Sequence, residues 1–253
     1  MCIAFKRKDD TIMENFLKGK RVLFMGDSIT ALYMCDRGWP KYFCEILEPA
    51  HHASVAVAGA HWCDYKNTVY DGDPVYRPGD NPNNTMGNQV EKLKRQKAAG
   101  NPDYSDFDVI IMAAGTNDAM PESNEITDAQ FYRDGAYVPL EEADRCTWGG
   151  SVRYVCESLY DLYPNAYQFI CTPVQADDKI RGFRSILEKG RVLKELAARV
   201  SVRYIDTLYC GIYGRYEKWE NNGRSLVDGL HPNVNGAKQM GYFNAMAVKS
   251  YLG

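Results

Sequence analysis

Four short stretches of this chain carry residue types that can do covalent chemistry. Residues 26–30 read GDSIT, 58–62 AGAHW, 115–118 GTND and 228–233 DGLHPN. A serine hydroxyl such as that of Ser28 is a weak nucleophile until a base takes its proton. Histidine is the usual base, and the chain has four. His51 and His52 open an apolar stretch and are expected to be solvated, away from Ser28. His61 and His231 remain. Asp228 stands three residues before His231. An Asp-x-x-His step on a turn can direct a carboxylate to the imidazole Nδ1 and leave Nε2 for a serine. Serine attack on a carbonyl also builds charge on one oxygen, which needs donors aimed at it. The Ser28 N–H, the Gly59 N–H and the Asn117 side-chain amide are candidates. Each residue also has an ordinary reading: Ser28 as a helix cap, Gly59 as a turn, Asn117 as an Asx-turn, and Asp228 with His231 as turn and cap residues.

Whether these stretches meet depends on the elements between them. Short apolar runs at 21–25, 51–58 and 108–114 each end at a glycine and read as buried strands. Runs at 167–172 and 202–206 add two more. Helical spacing is expected over 39–48, where Pro40 falls in the first turn, and from Thr85 through Met86, Val90 and Leu93. Trp148, Val152, Val155, Leu159 and Leu162 mark one face of another helix. Further helices are expected over 183–200 and 233–252. Strands alternating with helices predict a parallel sheet covered on both faces. In such sheets ligands bind beyond the C-terminal ends of the strands. The residues after strands one, two and three should therefore converge on one rim.

GDSIT at 26–30, AVAG at 56–59, GTND at 115–118 and DGLHPN at 228–233 resemble, in order, the four signature blocks of the SGNH (GDSL-type) hydrolases. They span nearly the whole chain. The first block reads GDSI rather than GDSL, and Ser54 stands where many members carry Asn. The resemblance implies a flavodoxin-like three-layer α/β/α sandwich around a central, mostly parallel five-stranded sheet. It implies ester hydrolysis with no cofactor and no metal. Ser28 would be the nucleophile, with Asp228 and His231 as the rest of the triad. The oxyanion donors would be Ser28, Gly59 and Asn117.

Composition narrows the classes. With 253 residues the chain can bury roughly 70–75% of its unfolded surface, ample for one core. We expect one domain over 1–253, with a lead-in at 1–18 and loop insertions at 61–84 and 119–146. Thirty Lys and Arg against 33 Asp and Glu are too balanced for a nucleic-acid partner. No apolar run is long enough for a membrane span. No signal peptide is recognisable at the start, so the chain as written reads as cytoplasmic, or as secreted or periplasmic if a leader was removed. The eight scattered cysteines read as reduced, mostly buried thiols. P-loop, G-x-G-x-x-G and HExxH motifs are absent. His61, Cys63 and Asp64 match no usual zinc spacing. His61 and Trp62 are instead expected to line a substrate entrance. The stretch 61–84 is rich in Asn, Asp and Tyr, which suits a sugar-like alcohol. The expected partner is a small-molecule or saccharide ester, preferably a short-chain acetyl ester. The rivals are a lysophospholipase or thioesterase on lipid-like acyl groups, and a flavodoxin-like binding module without catalysis.

Overall fold

A computed structural model of the chain describes residues 17–69, 82–119, 128–218 and 223–252. The expected lead-in and both loop insertions lie partly outside these residues. Five strands form one sheet: β1 (Arg21–Gly26), β2 (His51–Ser54), β3 (Val109–Ala113), β4 (Tyr167–Cys171) and β5 (Arg203–Ile205). All are parallel, in the order β2-β1-β3-β4-β5. That is the flavodoxin-like winding, whose order reverses between β1 and β3 and opens a crevice there. The register pairs Gly26 with Ala113 and Ala113 with Cys171, so three strands end level on one rim.

The apolar strands are buried on both faces because the pleat sends successive side chains to opposite sides. Leu23, Met25, Ile110, Met112 and Ile170 point to one core. It is closed by α3 (Met86–Ala98), α4 (Trp148–Leu162) and α5 (Phe183–Arg199). Val22, Phe24, Ile111 and Phe169 point to the other, closed by α2 (Trp39–Leu47) and α6 (Val234–Leu252). A single turn, α1 (Ser28–Ala31), follows β1. Side-chain caps set two helix starts: Thr85 accepts from the Asn88 N–H, and Thr147 from the Gly150 N–H.

Two expectations change here. The second strand stops at Ser54, not Ala58. Residues 55–57 still bond to β1, through Val55 N–H to Phe24 O at 3.0 Å and Val57 N–H to Gly26 O at 3.0 Å. Among the described residues this segment forms the edge of the sheet, with no partner strand on its other side. His51 and His52 are half-buried rather than solvated. His52 Nδ1 lies 2.6 Å from the Tyr33 hydroxyl, and His51 Nε2 lies 3.0 Å from Asp103 O. Both still stand at the far end of the sheet from Gly26.

In the second insertion, Tyr132–Arg133 pairs with Ala136–Tyr137 in a small hairpin. Arg153 of α4, fully buried, donates to the Gln130 and Val138 carbonyls and fastens it to the body. The described cysteines are free thiols; Cys44, Cys156, Cys171 and Cys210 are buried, Cys63 is half-buried, and Cys35 and Cys146 are exposed. Among the described residues no helix is long and apolar enough to cross a membrane.

Candidate active site

Gly26 ends β1 where a side chain has no room: a Cβ would lie 2.2 Å from Ala113 O. Gln89 of α3 grips this glycine from the side. Its amide accepts from the Gly26 N–H at 3.0 Å and donates to Gly26 O at 2.8 Å. The next residue, Asp27, is the cap of α1 and accepts from the Ile29 N–H at 3.0 Å. Ser28 is therefore not the cap but the first residue of the turn. Its hydroxyl is left for other work.

That hydroxyl lies 2.9 Å from His231 Nε2. His231 Nδ1 lies 2.7 Å from Asp228 Oδ2. The other Asp228 oxygen accepts from the His231 N–H at 2.7 Å and the Leu230 N–H at 3.0 Å. Burial alone would raise the Asp228 pKa, but the bonds from His231 and Leu230 prevail and hold it below the usual carboxylate range. The loop carrying both residues is a narrow ring. Val227 N–H bonds to His231 O at 2.9 Å and Asn233 N–H to Ser225 O at 2.9 Å. Glu217, buried, accepts from the Ser225 and Leu226 N–H groups and fixes the base of the ring.

The other two predicted donors sit on loops tied to the same rim. Gly59 adopts φ +77°, a left-handed conformation that favours glycine. The Asn117 amide donates to Ala60 O at 3.0 Å, which orients the side chain and joins the third loop to the second. Thr116 O, just before it, accepts from Arg181 Nε at 3.0 Å and from buried Lys189 Nζ at 3.3 Å. These braces were not visible in the motifs. For Lys189 there was a signal: a charge on the apolar face of α5, between Ile186 and Val192.

Ser28 and His231 open on a cavity of about 560 Å³, lined also by Leu32, Arg37, Val57 and Lys92. A second cavity of about 370 Å³ is lined by His61, Tyr65, Asn117 and Asp118. His61 thus borders a cavity, with Nε2 2.9 Å from the Tyr65 hydroxyl. Trp62 does not. It is fully buried in the core beside α4, and its backbone N–H donates to Asp118 Oδ2 at 3.0 Å. The chain turns inward after Ala60, and a large indole gains more by burial than by lining a polar mouth.

Three buried carboxylates surround the rim. Burial pushes Asp27 up to about 6, the Ile29 bond offsetting only part of it. It also pushes Asp64 to about 6 and raises Asp118. A folded-state carboxyl pKa above its unfolded value favours folding at low pH. That advantage is lost as pH rises from about 4 through 6. Asp27→Asn keeps the acceptor for Ile29 and removes the buried charge. With the Asp27 pKa raised from 3.8 to about 6, the substitution is expected to stabilise the protein at pH 8 by up to about 3 kcal/mol. Thermal melts at pH 5 and pH 8 check this: the variant's gain should appear at pH 8 and shrink at pH 5. An equal or lower melting temperature at pH 8 would refute it.

Residues 24–239 match the sequence profile described as the GDSL-like Lipase/Acylhydrolase family. The chain belongs to that family. Its members are esterases and acylhydrolases, and the chain is a hydrolase of this kind. Solved structures share the fold. A possible lipase from Chitinophaga pinensis is 15% identical with TM-score 0.58, covering 92% of this chain and 98% of its own. The acetyl xylan esterase AlAXEase is 15% identical with TM-score 0.51, covering 90% and 99%. A putative acylhydrolase from Bacteroides fragilis is 17% identical with TM-score 0.50, covering 98% and 97%. Comparison with curated proteins gives no match.

Proposed function

We propose that this family member is a serine esterase that cleaves short-chain acyl esters, chiefly acetyl esters, of carbohydrate-like alcohols. The observation that carries the reading is the unbroken chain Ser28 Oγ–His231–Asp228, at 2.9 and 2.7 Å. A binding module has no need of it. In this reading Ser28 Oγ attacks the ester carbonyl carbon as His231 Nε2 takes its proton. The carbonyl oxygen becomes an oxyanion, received by the Ser28 and Gly59 N–H groups and the Asn117 amide. Collapse breaks the bond to the alcohol, and His231 returns the proton to the leaving oxygen. Water, deprotonated by the same imidazole, then frees the acid from Ser28. No step calls for a metal or cofactor.

The carbohydrate reading draws support from the second cavity, where His61 and Tyr65 offer hydrogen bonds and aromatic faces beside Asn117. Acetyl xylan esterases of the same fold carry a name that fits such a substrate. A chain-length series tests it, using acetate, butyrate, octanoate and palmitate esters of one leaving group. Each CH₂ accommodated in an apolar groove would add about 0.8 kcal/mol. We expect kcat/KM to be highest for acetate and to fall with length. A rise toward palmitate would establish the lipid-directed alternative, and no turnover of any ester would refute the esterase.

A further inference from the structure

The cavity at Ser28 holds two cations that the triad does not use. Arg37 and Lys92 both line it, alongside Ser28 and His231. Both are half-buried. Among the described residues neither forms an ion pair, although eight other lysines and arginines do. The rest of the lining is Ala31, Leu32, Ala56, Val57 and Ala58, with no acid among it. In a chain of net charge −3, two unmatched cations beside a reacting serine stand out.

Their placement is built into the fold. Arg37 donates Nε to Pro232 O at 3.0 Å, which ties its guanidinium to the residue after His231 and leaves its two terminal nitrogens for a ligand. Lys92 lies one helical turn beyond Gln89, on the same face of α3. Gln89 is the residue that grips Gly26, so Lys92 is carried toward the end of β1. Holding unpaired cations half out of water is unfavourable unless an anion arrives to match them.

We propose that Arg37 and Lys92 are specificity residues that recognise an anionic group, a carboxylate of the uronic-acid kind, on the leaving alcohol of the substrate. This deepens the esterase reading and rests on it. The side is set by His231. The imidazole gives its proton to the departing oxygen, so the alcohol must lie against it, and Arg37 is pinned to the neighbouring carbonyl. The free edge of the guanidinium matches a carboxylate in a two-point contact, with Lys92 supplying a second charge. The anion is bound and not transformed; only the ester bond is cut.

The test compares three synthetic esters with p-nitrophenyl acetate as reference: an acetylated methyl glucoside, the matching acetylated methyl glucuronoside, and the glucoside carrying a succinate half-ester in place of acetate. A charge-assisted contact predicts at least about tenfold higher kcat/KM for the glucuronoside than for the glucoside at low salt. The preference should shrink at 0.5 M NaCl, where charges are screened. Arg37→Gln and Lys92→Gln should each reduce the ratio several-fold, and Lys194→Gln, an exposed lysine on α5, should not. Among the described residues Lys92 forms no hydrogen bond or ion pair, so it carries the test if Arg37→Gln is unstable. Equal rates for the two sugars, or a ratio unchanged in both variants, overturns the proposal and leaves the esterase standing. Preference for the succinate half-ester also overturns it, by placing the cations on the acyl side. If p-nitrophenyl acetate itself is not turned over, both readings fall.

Discussion

Ser28→Ala is expected to lower kcat by roughly 10⁴–10⁶ while the protein stays folded, since loss of a triad nucleophile leaves only the residual effect of binding and oxyanion donors. Covalent labelling by a fluorophosphonate should vanish with it, because the probe reports an activated serine and not a bound ligand. The substitution removes one half-exposed hydrogen bond, the 2.9 Å contact to His231. Its effect on stability should therefore stay near ~1 kcal/mol. Asp27, not Ser28, caps α1, so no helix start is lost. Burst kinetics with p-nitrophenyl acetate provide the second readout. A wild-type burst that survives in Ser28→Ala would assign the acyl group to another residue, and the mechanism would have to be rebuilt around it.

How much of this was legible from the residues follows a physical division. The first and third strands were, because a buried parallel strand is a continuous apolar run, here stopping at or just before Gly26 and Gly115; the second reads on to Ala58 in the sequence but ends at Ser54. Once the strands are in order, topology puts their following loops on one rim, and Ser28, Gly59 and Asn117 could be nominated together. The Asp228–His231 step was legible because it is local: the contact spans three residues and needs only a turn. What was not legible depends on side chains arriving from elsewhere. Gln89 clamps Gly26 across 63 positions, and Lys189 reaches Thr116 across 73. A charge on the apolar face of α5 marks Lys189 as unusual, but no local pattern announces the partner in either contact. Trp62 shows the converse error. Its place just after a strand end suggested an exposed mouth, yet its size decided for the core, while His61 and Cys63 on either side of it border a cavity. Arg37 and Lys92 gave no motif at all; their interest lies in forming no ion pair among the described residues, which only the fold reveals.

Asp228→Asn is expected to lower kcat by roughly 10²–10⁴ with KM changed far less, because an amide in that place can present its NH₂ to the imidazole and hold the wrong tautomer toward Ser28. The effect is separable from a loss of folding. Asp228 Oδ1 accepts the His231 and Leu230 N–H groups, and the Asn carbonyl can keep those bonds, so the ring from 225 to 233 should persist. The pH profile adds a second readout. Asp228 is held below the usual carboxylate range, so its own protonation falls well on the acid side of any ordinary assay. Its folded-state advantage is present above the unfolded carboxylate pKa of ~4 and is lost as pH falls through the lower folded value. Asp228→Asn forfeits that contribution, so the melting temperatures of variant and wild type should converge as pH falls below ~4. A kcat within about tenfold of wild type would mean that Asp228 shapes the loop and contributes little to the chemistry.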